Sequence, residues 1–288
     1  MRIAIVGSCG YIASYLIKHF KQDKNISKIL TIDQTINADT YLNLSEPDKF
    51  DYCLLNSTDF VIFTAAISGP DFCANHFELC WKINVEGTKY FIQKAIDRGC
   101  KVLFFSSDAV FGSIPGHIYT EQSETKAFTP YGKMKKTIED EFRKNSYFKA
   151  IRLSYVISAN DKFISYCLNC VRNNEVAEIF HPFYRNCITI SDVAKVITWF
   201  LYYFDKYAPF VLNVAGTELI SRIRIADELN VILKNRLKYS ILHPEDGFFR
   251  NRPEITQMNS LYLYKYNILE NQSFTKKIQE ELEGLEVW

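Results

Sequence analysis

The chain has 288 residues, with 34 Lys and Arg set against 33 Asp and Glu. That balance gives no basic surface for nucleic acid and no charge asymmetry that would hold the protein to a membrane. Hydrophobic residues at 48% and charged residues at 23% describe an ordinary globular chain, long enough for an α/β unit with a smaller lobe and for a core that needs no disulfides.

Arg2-Ile3-Ala4-Ile5-Val6 predicts a strand, and no apolar leader precedes it. A helix is expected from about Tyr11 to Phe20, where Ile12, Tyr15, Leu16 and Phe20 share one face. Ile29-Leu30-Thr31-Ile32 reads as a second strand ending at Asp33. Ser45 is placed to cap a short helix with Pro47 in its first turn. Phe60-Val61-Ile62-Phe63 is continuously apolar, as in a strand buried on both faces. One long helix is predicted from about Glu78 to Arg98, a strand over Lys101–Phe105, a helix from Pro130 to about Lys144, and a strand over Ala150–Leu153. Strands alternating with helices predict an α/β fold with a Rossmann-type doubly wound parallel sheet.

Further along, helices are expected near Lys162–Arg172, Asp192–Phe204, Arg222–Leu233 and Phe274–Leu282, with a strand at Phe210–Asn213. The expected division is a Rossmann core over 1–154, to which 188–215 returns, and a smaller C-terminal substrate lobe over 155–187 and 216–288. The apolar stretch from Val193 to Phe204 is too short to span a bilayer and carries Lys195. Eight cysteines are scattered, and Cys167 and Cys170 have the spacing of half a zinc site with no second half. The cysteines are read as reduced and mostly buried, with no metal site, in a cytoplasmic protein.

Gly7-Ser8-Cys9-Gly10-Tyr11-Ile12-Ala13 lies between the first strand and the first helix. A pyrophosphate needs backbone N–H groups at a helix start with no side chain in the way, which Gly7 and Gly10 permit. Ala13 is small enough for the helix to pack on the strand, and Asp33 stands where a carboxylate can take ribose hydroxyls. No Arg or Lys occurs from 34 to 40 to neutralise a 2′-phosphate, so NAD(H) is expected rather than NADP(H). Tyr131 and Lys135 are four residues apart on a predicted helix and share a face. An ammonium about 4 Å from the phenol is worth on the order of 4 kcal/mol at an effective dielectric of about 20, enough to bring a tyrosine from about 10 toward neutrality. Ser107, at the end of a central strand, can hold a carbonyl beside that phenol.

Further stretches carry a family resemblance: Thr64-Ala65-Ala66, Ile83-Asn84-Val85-Glu86-Gly87-Thr88, Ser106-Ser107-Asp108-Ala109-Val110-Phe111-Gly112, Arg185 through Ala194, and Arg252-Pro253. Over nearly its whole length the chain resembles the extended short-chain dehydrogenase/reductases, a group of nucleotide-sugar epimerases, dehydratases and reductases. The resemblance implies Ser107, Tyr131 and Lys135 as the catalytic triad. It implies cofactor contacts from Gly7, Cys9, Gly10, Tyr11, Ile12, Asp33, Ala65, Ala66, Asn84, Ser106, Tyr131 and Lys135. Ser107, Asp108, Arg185 and Arg252 would touch substrate, the two arginines clamping a diphosphate.

Ala109 stands where the dehydratases of this group carry a second carboxylate and the fucose-type epimerase-reductases a cysteine, so the pattern is most similar to the dTDP-sugar 4-keto reductases. The expected activity is NAD(H)-dependent reduction or oxidation at C4 of a nucleoside-diphosphate sugar. A C4 epimerase and a non-catalytic dinucleotide-binding regulator are the alternatives. A homodimer through the helices around 78–98 and 131–144 is implied. The run from Tyr262 to Tyr266 is read as packing.

Overall fold

The computed structural model describes residues 1–245 and 247–285. Its elements run β1 (Arg2–Val6), α1 (Tyr11–Phe20), β2 (Lys28–Asp33), β3 (Thr40–Tyr41), β4 (Phe60–Phe63), α2 (Pro70–Asn75), α3 (Phe77–Trp81), α4 (Thr88–Ile96), β5 (Lys101–Ser107), β6 (Ile118–Tyr119) and α5 (Pro130–Phe142). They continue with β7 (Phe148–Leu153), β8 (Val156–Ile157), α6 (Lys162–Asn173), β9 (Ala177–Phe180), β10 (Tyr184–Arg185), β11 (Ile188–Thr189), α7 (Ile190–Tyr203) and β12 (Val211–Val214). The last are β13 (Ile220–Ser221), α8 (Arg222–Ile232), β14 (Tyr239–Leu242), β15 (Ile255–Met258) and α9 (Phe274–Glu281).

The central sheet is parallel, with seven strands in the order β12-β7-β5-β4-β1-β2-β3. Every residue of β4 is buried, which is why its sequence is uninterrupted Phe-Val-Ile-Phe. The chain leaves β1 in one direction toward β2 and β3 and in the other toward β4, β5 and β7. This reversal opens a crevice beyond the carboxyl ends of β1 and β4.

Two of the expected elements take a different form. Ser45 does not cap a helix. Its N–H and Oγ both donate to Asn43 Oδ1, at 2.9 and 2.8 Å, and the following 3-10 turn over Pro47–Lys49 starts from Glu46. The long helix of 78–98 is interrupted by a π-helical segment, Lys82–Gly87, between α3 and α4. Local periodicity does not see this segment, because it is held by a distant contact: Asn84 turns its amide onto the Ile67 backbone.

The chain divides into two compact units. The first comprises Met1–Phe111, Glu124–Arg152 and Ile197–Leu212; the second comprises Gly112–Ser123, Leu153–Val196 and the described chain from Asn213 onward. This differs from the expected division at 112–123, 153–154, 188–196 and 213–215. Residues 112–123 join the second unit because Glu121 accepts from Asn213 N, Ser260 Oγ and Leu261 N, and because β6 pairs with β15. Residues 188–196 join it because Lys277 pairs with Asp192.

Candidate active site

The glycine turn after β1 shapes the first part of the site. Gly7 has φ +80°, and a Cβ there would meet the Ala65 Cα and N at 2.7 Å. Only glycine lets the end of β1 approach the 64–66 backbone this closely. Gly10 N closes the turn on Gly7 O at 3.0 Å, and α1 begins at the next residue. At the tip of β2, Asp33 accepts from Cys9 N at 2.9 Å, while Cys9 Sγ lies 3.0 Å from Thr35 Oγ1. Between these groups lies a cavity of about 350 Å3, lined by Gly7, Cys9, Gly10, Asp33, Ala65 and Ala66 and also by Leu42, Asn43, Leu44, Ile67 and Ile83. The cradle at Gly7, the carboxylate at the end of β2 and the apolar walls fit a dinucleotide: backbone for phosphate, acid for ribose, Leu and Ile for a base.

The second part is the seam between α5 and β5. Thr129 caps α5 by accepting from Gly132 N at 3.1 Å, and Pro130 holds the first helical position. A Cβ on Gly132 would fall 2.0 Å from Ala109 O, so this glycine lets the start of α5 lie against the turn that follows Ser107. Tyr131 is half-buried and Lys135 is 2% exposed. Lys135 Nζ donates to Phe105 O at 2.7 Å and lies 4.5 Å from the Phe104 ring centroid and 5.7 Å from that of Tyr131.

Burial lowers the Lys135 ammonium to about 7, against the opposing pull of Glu139 and then Cys73. Burial also raises the Tyr131 phenol, with Cys73 and Asp108 pushing the same way. The phenol is thus shifted in the direction opposite to the expected acidification by Lys135. Desolvation disfavours both charged forms. Cys73 is a weak acid in its own right, its thiol pushed up to about 12 by burial and by Cys80.

The other expected site residues fall into four groups. Ser107 stands at the head of the seam. Its hydroxyl donates to Asp108 Oδ1 at 2.9 Å and accepts from Ala109 N at 3.2 Å, so Ser107 and Asp108 form one turn. Tyr11 and Ile12 open α1 beyond the cavity, Tyr11 exposed and Ile12 half-buried.

Ser106, Asn84 and Arg185 are engaged elsewhere. Ser106 Oγ donates to Glu139 Oε1 at 2.5 Å. The Asn84 amide is bonded to both Ile67 N and Ile67 O, so it holds a wall of the cavity in place. Arg185 donates to the carbonyls of Tyr184, Pro253 and Glu254 at 2.6 to 3.1 Å. Three backbone carbonyls hold that guanidinium. Arg252 lies over the Phe248 ring, 4.2 Å from its centroid.

Sequence reasoning missed a cavity of about 320 Å3 in the second unit, lined by Phe163, Tyr166, Glu178, Phe180, Phe183, Arg222 and Phe248. Arg222 lies over the rings of Tyr155, Phe163 and Phe183 and donates to Tyr155 Oη at 2.8 Å, while Tyr155 donates to Asp161. The aromatic content of 178–183 was the available signal, but the contributors come from β9, α6, α8 and a later loop. Among the described residues no cluster of His, Cys, Asp or Glu could hold a metal, and no helix is long and apolar enough to cross a membrane.

A sequence model of the NAD dependent epimerase/dehydratase family matches residues 3–215. The chain belongs to that family, and it is an enzyme whose cofactor is NAD. Solved structures of the same fold include a dTDP-4-dehydrorhamnose reductase from Clostridium acetobutylicum, with TM-score 0.81, 19% identity and 99% of each chain covered. The Thermus thermophilus UDP-glucose 4-epimerase in complex with NAD matches with TM-score 0.81 and 14% identity over 98% of each chain. A UDP-N-acetylglucosamine 4-epimerase from Methanobrevibacter ruminantium in complex with UDP-N-acetylmuramic acid matches with TM-score 0.80 and 16% identity, covering 99% of this chain and 97% of that one.

Proposed function

We propose that the protein reduces the 4-keto group of a nucleoside-diphosphate sugar, with Ser107, Tyr131 and Lys135 as the reacting triad. The observation that carries this reading is the seam itself, where the face of α5 that bears half-buried Tyr131 and buried Lys135 packs on the turn that follows Ser107. Bound NAD, in its reduced form, would supply the hydride. Gly7, Cys9 and Gly10 would hold its pyrophosphate, Asp33 a ribose, and Ala65 and Ala66 the wall beside it. The phenol of Tyr131, raised by burial, keeps its proton at neutral pH. That suits a donor to the oxygen of a carbonyl under reduction better than a base for alcohol oxidation. Ser107 can release Asp108 and donate to the same oxygen, and Lys135 orients the phenol from one turn below.

In the second unit, the aromatic walls around Arg222 and Glu178 suit a planar base that stacks and hydrogen-bonds at its edge. Arg252, beside that pocket through Phe248, retains the proposed diphosphate role. Asp108 remains a proposed substrate contact through its turn with Ser107. A homodimer is proposed through the helices around 78–98 and 131–144, the first of which exposes Leu79 and Tyr90. The cytoplasm is the proposed compartment, in keeping with cysteines that are all unbridged.

The test is a panel of nucleotide-linked 4-keto sugars, followed by NADH absorbance with product stereochemistry read by NMR. Net NADH oxidation with one panel member supports the reductase. NAD that co-purifies and sugar that inverts at C4 without net cofactor turnover would make the protein an epimerase instead.

A further inference from the structure

Directly below the Tyr131–Lys135 face lies a charge pair that this chemistry does not use. Glu139 is one turn beyond Lys135 on α5, and Arg152 is on β7. Their side chains are 2% and 3% exposed. Arg152 grips the carboxylate with both Nε, at 2.9 Å from Oε1, and Nη2, at 2.5 Å from Oε2. Buried pairs of this kind often add little stability over well-packed apolar residues of the same volume. Net stability is therefore a poor reason for this one.

Its connections suggest another reason. Glu139 also accepts from Ser106 Oγ at 2.5 Å, and Ser106 immediately precedes Ser107. One residue earlier, Phe105 O accepts from Lys135 Nζ at 2.7 Å. Two consecutive residues of β5 are thus tied to two consecutive turns of α5, and Ser107 is the next residue along the strand. Arg152 adds a third anchor, lying 4.8 Å from the centroid of Phe111 at the end of the turn that Ser107 begins.

We propose that Glu139 and Arg152 are positioning residues: their buried pair, acting through Ser106, locks the end of β5 that bears Ser107 to the helix face that bears Tyr131 and Lys135. This rests on the reading of Ser107, Tyr131 and Lys135 as the reacting groups. The pair also has an electrostatic side. The charged and titratable groups that face Lys135 are Glu139 and Tyr131 on its own helix and Cys73 on α2. Glu139 opposes the effect of burial most strongly, so removing its charge moves the Lys135 titration to lower pH.

The test is the double variant Glu139→Gln/Arg152→Met, which removes both charges together and leaves neither stranded. It is expected to keep its thermal midpoint and its affinity for NAD, read by fluorescence, while kcat falls on the order of 10- to 100-fold at nearly unchanged KM. The 13Cε signal of Lys135 in the cofactor-free protein is expected to titrate at lower pH than in the parent. Ser106→Ala cuts only the link to the strand, so kcat should fall several-fold while the Lys135 midpoint stays in place; it decides the matter if the double variant does not fold. Unchanged kcat in either folded variant overturns the proposal, as does a loss of kcat that is matched by equal loss of NAD affinity. A Tyr131→Phe enzyme with parental turnover would instead remove the triad reading beneath it.

Discussion

The cavity at the glycine turn and the seam between α5 and β5 belong to the same sheet edge yet are built on opposite principles. The cavity is defined by backbone: Gly7, Gly10 and the 64–66 segment make its shape, and Asp33 is the carboxylate among its lining residues. The seam is dense with buried charge, with Lys135, Glu139 and Arg152 all 3% exposed or less. Shape suffices where a cofactor must be gripped. A proton that must move needs groups whose ionisation the protein sets, and burial is the strongest means of setting it. pH should therefore act on the seam and leave the cavity nearly untouched.

The sharpest way to break the contrast is Gly7→Val. The added side chain meets Ala65 backbone at a φ that β-branched residues avoid. Loss of NAD affinity by at least about 100-fold is expected, read by calorimetric titration, because the site depends on the close backbone approach that only glycine permits. Retained affinity would mean that side chains carry the grip.

The seam gives a second, smaller effect. Lys135 titrates near 7 when folded and near the ordinary lysine value when unfolded. Between those values the unfolded chain binds the extra proton, so stability from this group rises with pH; below about 7 the cost of burying the ammonium is felt in full. Lys135→Met removes that cost. The variant should exceed the parent by on the order of a few kcal/mol at about pH 6, and the gap should narrow toward about pH 9. Urea denaturation at several pH values checks the slope. A gap that does not change with pH would show that Lys135 is not desolvated as described.

The smallest of these three effects is that of Asp33→Asn. A charged hydrogen bond to ribose is worth about 1.5 to 3 kcal/mol, so NAD affinity should weaken about 10- to 100-fold while the pH profile of kcat stays put. A moved profile would couple the two regions.

Local motifs make both regions partly legible in the sequence. Gly7, Gly10 and Asp33 stand at fixed offsets around one strand and one helix, and Tyr131 and Lys135 share a helix turn. Interactions between residues far apart in sequence hide the rest. Leu42, Asn43 and Leu44 reach the cavity after β3, a two-residue strand with no pattern of its own. Glu139 reads as a surface acid on its helix, and only the fold brings Arg152 and Ser106 to it. Arg185 carries a motif, yet the carbonyls of Pro253 and Glu254 claim its guanidinium. The direction of the phenol shift is hidden too, because pairwise Coulomb attraction leaves out the burial of both partners.

The most direct measurement is the single-turnover rate of NADH oxidation by Tyr131→Phe with a nucleotide-linked 4-keto sugar, alongside the NADH dissociation constant of the same protein. A proton-donating phenol predicts a rate lowered on the order of 10²- to 10⁴-fold at unchanged NADH affinity. A rate equal to that of the parent enzyme would contradict it.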